Sequence, residues 1–149
     1  MPAETPSLAS LYRQTVLEHG RQPHNLRPMS HPDHLASADN PLCGDRITLY
    51  LQEREGILSD VSFEGRGCAI SLASASMLTD IVCGLSPGEA RRLAASVVET
   101  LGSGKGGLPG ELAALGEVHA YPARIRCATL AWKTLDAALD GAGRPAGTA

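Results

Sequence analysis

Aromatic side chains are scarce here: one Trp, three Tyr and one Phe in 149 residues, 3% of the chain. That removes the stacking platforms on which single-stranded nucleic acid is usually held. An excess of positive charge is missing too, since 13 Lys and Arg stand against 16 Asp and Glu, for a net charge of -3 and a pI near 5.9. Without a basic stripe to follow a phosphate backbone, no DNA or RNA partner is expected. No uninterrupted apolar run approaches the length needed to cross a bilayer, and the opening Met1-Pro-Ala-Glu-Thr-Pro has neither the basic nor the apolar part of a signal segment. A cytoplasmic protein without membrane contact is the expectation. Cysteine is limited to four residues. In a reducing cytosol these are more often metal ligands, catalytic groups or buried thiols than disulfides, and a chain of this length buries a core without covalent staples.

What is present is a run of well-punctuated elements. Ser7 can cap a first helix whose apolar residues Leu8, Leu11, Tyr12 and Val16 fall at helical spacing, with Gly20 as its stop. Pro23, Pro28 and Pro32 then forbid a regular helix from Arg21 to Asp39. Ile47, Leu49 and Leu51 alternate with polar residues, and beyond a Glu55-Gly56 turn Ile57, Val61 and Phe63 continue the pattern, which predicts a β-hairpin. His34 to Ala38 is a weaker candidate for a third strand. A helix is predicted from Cys68 to about Cys83, with Leu72, Ala73, Met77, Leu78 and Ile81 on its apolar face. Ser86-Pro87-Gly88-Glu89 reads as a capping box that opens the best-specified helix, through Ala90, Leu93, Ala94, Val97, Val98 and Leu101. The glycine-rich stretch Gly102 to Gly110 reads as a mobile loop, and Glu111 to Leu115 as a short helical turn. A last helix after Tyr121-Pro122 should carry Ile125, Ala128, Trp132, Leu135 and Leu139 inward and stop at Gly141. Residues 1–141 are thus expected to be a single domain, and 142–149 a disordered tail.

Three of the cysteines share a setting. Cys43 stands in Pro41-Leu42-Cys43-Gly44-Asp45, two residues from a carboxylate, while Cys68 and Cys127 each stand where a helix is expected to begin. Each is flanked by glycine, carboxylate or arginine instead of a β-branched core run. Three sulfurs and one oxygen suffice for a closed tetrahedral Zn²⁺ site. A thiolate in a first helical turn is favoured by the positive end of the helix dipole, and metal binding needs that ionised form. Cys83 lies fifteen residues beyond Cys68, roughly 22 Å along a regular helix, and so is read as a separate, structural or incidental thiol. The histidines of the proline-rich loop, His24, His31 and His34, are read as solvated side chains. For Asp45, metal ligation and simple bonding to nearby backbone N–H groups stand level on spacing alone.

The segments Asn40-Pro-Leu-Cys-Gly-Asp45, Gly65-Arg-Gly-Cys-Ala-Ile-Ser-Leu-Ala-Ser-Ala-Ser-Met77 and Arg124-Ile-Arg-Cys-Ala-Thr-Leu-Ala-Trp132 resemble the three signatures of the IscU-like (NifU-like) family, and specifically its SufU branch. Leu11-Tyr12-Arg13, Glu18-His19 and Pro23-His24-Asn25 are similar to that family's first helix and following loop. The resemblance implies an α+β domain with a small antiparallel three-stranded sheet and about four to five helices. It also implies zinc ligands at Cys43, Asp45, Cys68 and Cys127. Cys43 would accept persulfide sulfur from a SufS-type cysteine desulfurase, whose own cofactor is pyridoxal phosphate, by leaving zinc when a histidine of that partner takes its place. A downstream iron-sulfur scaffold would then take the sulfur. Two departures separate the chain from the scaffold branch, which carries histidine where Arg126 stands and lacks the insertion from about Gly102 to Val118.

A closed set of three thiolates and one carboxylate leaves no position for an activated water, which disfavours a zinc hydrolase. Three readings stay open on sequence: a zinc-dependent sulfurtransferase, a scaffold holding an iron-sulfur cluster on the same ligands, and a binding module whose zinc only stabilises the fold. Arg124 and Arg126 are candidates for offsetting the negative site and for steering a partner.

Overall fold

The computed structural model describes residues 14–41 and 44–140. Strands β1 (His34–Asn40), β2 (Asp45–Arg54) and β3 (Ile57–Arg66) form one antiparallel sheet in the order β1-β2-β3. The β2-β3 turn takes positive φ at both Glu55 and Gly56 (54° and 78°), the backbone twist that a two-residue hairpin loop requires. The weak third strand is real and runs on to Asn40, two residues beyond the expected Ala38. Register brings Asn40 opposite Asp45 and Arg46 opposite Arg66, so the end of β1, the start of β2 and the end of β3 share one edge. The candidate site lies at that edge.

Helices α1 (Gln14–Arg21), α2 (Ala69–Val82), α3 (Pro87–Ser103) and α4 (Pro122–Asp140) accompany the sheet. Two 3₁₀ segments, Gly110–Leu115 and Val118–Ala120, lie between α3 and α4. The expected α+β architecture is the observed one. Ile47, Leu49, Leu51, Val61 and Phe63 are fully buried on the inner face of the sheet, beneath α2 and α4. Burying such side chains is worth about 1.5–3 kcal/mol each. Trp132 is the largest of the fully buried residues. Its indole N–H donates to Ser74 Oγ at 3.1 Å, and the Ser74 hydroxyl donates to the Ala128 carbonyl at 2.6 Å, so α2 and α4 are joined by satisfied polar groups as well as by packing.

Several expectations need correcting. Helix α1 does not stop at Gly20 but continues to Arg21. Gly20 serves close approach instead: a Cβ there would lie 3.1 Å from the Ala69 Cβ and 3.3 Å from the Ala69 carbonyl oxygen at the start of α2. Ser7, Leu8, Leu11 and Tyr12 lie outside the described residues, as do Gly141 and the tail 142–149. Helix α2 has no single apolar face, because α1, α4, β3 and the first 3₁₀ segment all pack on it. Leu72 and Ile81 are only half-buried, whereas Ser71, Ser74, Ser76 and Thr79 are buried. The capping box forms as predicted, with Glu89 N–H donating to Ser86 Oγ at 3.1 Å and Ser86 N–H to Glu89 Oε1 at 2.9 Å. Those bonds hold the Glu89 carboxyl below its ordinary range. Gly102 belongs to α3, which closes at Gly104, where the backbone N–H donates to the Thr100 carbonyl at 2.8 Å. The expected loop therefore begins later, and the segment beyond it folds down through buried Leu112, Leu115 and Val118.

Candidate metal centre

The site is assembled from three separate elements. Asp45 opens β2, Cys68 is the residue immediately before α2, and Cys127 lies in the second turn of α4. Cys127 is thus a full turn deeper than expected. The glycines of Gly65-Arg66-Gly67 have a steric reason. A Cβ at Gly65 would sit 2.6 Å from the Arg46 carbonyl oxygen, and one at Gly67 would sit 2.4 Å from Asp45 Oδ1. Any other residue at position 67 would displace the carboxylate.

Among the described residues, Asp45, Cys68 and Cys127 are the grouping of three metal-binding side chains whose ligand atoms all lie within 4.8 Å of one another. Asp45 is 2% and Cys127 3% exposed. Asp45 Oδ1 accepts the backbone N–H of Cys68 at 3.1 Å, and Oδ2 accepts the Ser71 hydroxyl at 2.5 Å. The Cys68 thiol lies 4.0 Å from Asp45 Oδ2 and 3.8 Å from Ser71 Oγ. Burial, reinforced by the neighbouring Cys68 and Asp45, pushes the Cys127 thiol far above its usual range, so in the metal-free protein it keeps its proton.

The donor set fits a zinc ion. Thiolate and carboxylate are ordinary zinc ligands, and tetrahedral bonds of about 2.0–2.3 Å place ligand atoms roughly 3.5 Å apart, against 4.0 Å for the Cys68 sulfur and Asp45 Oδ2 and no more than 4.8 Å for any pair here. The fourth expected ligand, Cys43, lies outside the described residues, in the connection 41–44 between β1 and β2. Cys83 takes no part: it is exposed at the far end of α2, with its sulfur 3.6 Å from the Ser59 carbonyl.

The histidines of the loop are not simply solvated. His24 Nδ1 lies 2.5 Å from Asp80 Oδ2, and His34 Nε2 lies 2.8 Å from Glu53 Oε1 across the sheet. His31 is exposed. None joins a three-residue metal grouping among the described residues. Arg126 is exposed and, with Lys133, Asp39, Asn40 and Pro41, lines a groove of about 430 Å³ beside the centre. Ser71 escaped the sequence reading. The available signal was its place three residues after Cys68, one turn into the same helix.

The match to the NifU-like N terminal domain spans residues 11–141. The chain belongs to that family. A protein of Bacillus subtilis (strain 168), named zinc-dependent sulfurtransferase SufU, is 37% identical over 134 residues, 87% of this chain and 90% of the relative. A protein of Streptococcus pyogenes serotype M1, named iron-sulfur cluster assembly scaffold protein IscU, is 37% identical over 135 residues, 89% of this chain and 84% of its own length. A crystal structure of a putative iron-sulfur cluster assembly scaffold protein for the SUF system from Fervidobacterium islandicum AW-1 superposes with a TM-score of 0.81 at 29% identity, covering 89% of this chain and 99% of that one. The resemblance drawn from the three cysteine segments therefore holds, in fold and in family. No helix among the described residues is long and apolar enough to cross a membrane.

Proposed function

We propose that this chain is a zinc-dependent sulfurtransferase of iron-sulfur cluster biogenesis, in which Cys43 receives persulfide sulfur from a pyridoxal-phosphate cysteine desulfurase of the SufS type. The observation that carries the reading is the convergence of Asp45, Cys68 and Cys127 within 4.8 Å, one residue beyond Cys43-Gly44. Cys43, Asp45, Cys68 and Cys127 would hold the metal, which when bound keeps thiols ionised yet unreactive. Cys68 stands at the head of α2 and Cys127 inside α4, whereas Cys43 belongs to a four-residue connection whose Gly44 has φ of 75°. The thiol on the connection is the one that leaves most easily.

The transfer balances without an external oxidant. The Cys43 thiolate attacks the outer sulfur of the partner's cysteine persulfide, a sulfur–sulfur bond forms on Cys43 as the partner's breaks, and the partner's cysteine departs as thiolate. Arg126 and Lys133, on the groove next to the connection, would face the approaching partner. The sulfur would pass on to a downstream iron-sulfur scaffold.

A scaffold role on the same ligands is favoured by the name of the Streptococcus pyogenes relative, whose identity equals that of the Bacillus subtilis one. Metal analysis of protein purified without added iron or zinc, followed by desulfurase turnover with and without it, separates the two. Bound zinc with strong stimulation that Cys43→Ala abolishes is the expected result. Stimulation that survives Cys43→Ala would remove the assignment of Cys43. A coloured cluster that moves to an apo-acceptor, without stimulation, would establish the scaffold role instead.

A further inference from the structure

Ser71 is fully buried and lies within reach of every described member of the centre. Its Oγ is 2.5 Å from Asp45 Oδ2, 3.3 Å from the Cys127 carbonyl oxygen and 3.8 Å from the Cys68 sulfur. A hydroxyl has one proton to give. The carboxylate oxygen is both nearer and a better acceptor than the carbonyl, so the proton goes to Asp45. With the Cys68 N–H on Oδ1 and the Ser71 hydroxyl on Oδ2, both oxygens of this carboxylate are tethered to the first turn of α2. Rotation about its terminal torsion would break both bonds.

We infer that Ser71 is the positioning residue for Asp45: it fixes the orientation in which the carboxylate meets the metal, and couples that ligand to the helix that carries Cys68. The inference rests on the metal reading of the centre proposed above, and not on sulfur transfer. Each oxygen is held by a donor in the first turn of α2, so Asp45 is presented as a ligand already aligned. Without the hydroxyl, Oδ2 loses its tether and the carboxylate must be ordered when the metal binds. Partners of metal ligands typically contribute about 10–100-fold to affinity.

The test is a double-mutant cycle on zinc affinity, read by competition with a chromophoric chelator. Ser71→Ala should weaken zinc binding by about 10-fold or more in the parent chain, yet by no more than about 2-fold when Asp45 is already alanine. Ser71→Thr, which keeps the hydroxyl, should stay within about 3-fold of the parent and carries the test if Ser71→Ala does not fold. An equal loss in both backgrounds, no loss in the parent, or a 10-fold loss in folded Ser71→Thr would each overturn the inference. A purely structural serine would lower thermal stability of the metal-free protein alike in both backgrounds and leave the cycle flat. A coupled cycle in a protein that fails to stimulate a desulfurase would keep Ser71 and remove sulfur transfer. Stimulation with a flat cycle would do the reverse.

Discussion

Two polar clusters lie along helix α2, and they solve the problem of burying polar side chains in opposite ways. At its start, Cys68, Ser71, Asp45 and Cys127 converge through sulfur contacts, the Cys68 sulfur lying 4.0 Å from Asp45 Oδ2 and the Cys127 sulfur 3.7 Å from the Ala123 carbonyl. Further along, Ser76 receives the His24 backbone N–H at 2.7 Å and lies 2.6 Å from His19 Nδ1, while His19 Nε2 lies 3.1 Å from Glu111 Oε1. One consistent proton arrangement has Ser76 donating to Nδ1 and Nε2–H donating to Glu111. Asp80 and Thr79 extend this network to His24 and Asn25. The second cluster has the residue types of a metal site, but its strong donors and acceptors answer one another. The first has weak sulfur contacts and a carboxylate held in place. The second is closed by nitrogen and oxygen groups that answer one another, whereas the first gathers thiols, donors that zinc accepts, around a carboxylate whose orientation is already fixed.

The sharpest way to break that contrast is to exchange ligands. Cys127→Ala should lower zinc affinity by more than about 100-fold, beyond the cost of losing a ligand's outer partner, whereas His24→Ala should leave it within about 2-fold. Chelator competition measures both, and equal losses would abolish the distinction. Next in size, His19→Ala should destabilise the metal-free protein by about 2–4 kcal/mol in denaturant unfolding, through lost buried hydrogen bonds and a cavity. Zinc affinity should hardly change, because His19 ties α1 and the Glu111 segment to α2 and touches no ligand. Gly67→Ala acts at the other cluster. Its Cβ would overlap Asp45 Oδ1, so a loss of about 1–3 kcal/mol should come with weakened zinc binding.

The pH dependence follows from the elevated Cys127 thiol. Zinc must displace its proton, so affinity should rise by about 10-fold per pH unit from this group alone. The metal-free protein should behave in the reverse sense. Because the folded-state pKa lies above that of the unfolded thiol, this contribution is complete below the unfolded value and is lost as pH rises past it. Pairing denaturant unfolding with zinc titration across pH checks both signs. Smallest is the cap remote from either cluster: Ser86→Ala should cost about 1 kcal/mol and leave zinc binding untouched.

Most of the fold could be read because its signals are local. The Glu55-Gly56 turn, the Ser86 capping box and the alternation through Ile47 to Phe63 each specify an element within a few residues. The errors arose where distant packing decides. Gly20 looked like a helix stop because nothing nearby in sequence shows that Ala69 will press against it. Helix α2 looked amphipathic because the four elements that enclose it are contributed from both sides of the chain. In the site, the spacing of the cysteine segments and their family likeness led to Asp45, Cys68 and Cys127, but a lone serine carries no such mark. Ser71 and the His19–Glu111 contact become visible only when residues far apart in sequence are brought together.

The central claim is that a carboxylate and thiols from four places in the chain, Cys43, Asp45, Cys68 and Cys127, hold a single zinc ion. Zinc-edge X-ray absorption on protein loaded with one equivalent of zinc tests it most directly. The account predicts three sulfurs at about 2.3 Å and one oxygen at about 2.0 Å, falling to two sulfurs in Cys43→Ala. A first shell containing imidazole nitrogen, or one that keeps three sulfurs without Cys43, would contradict it.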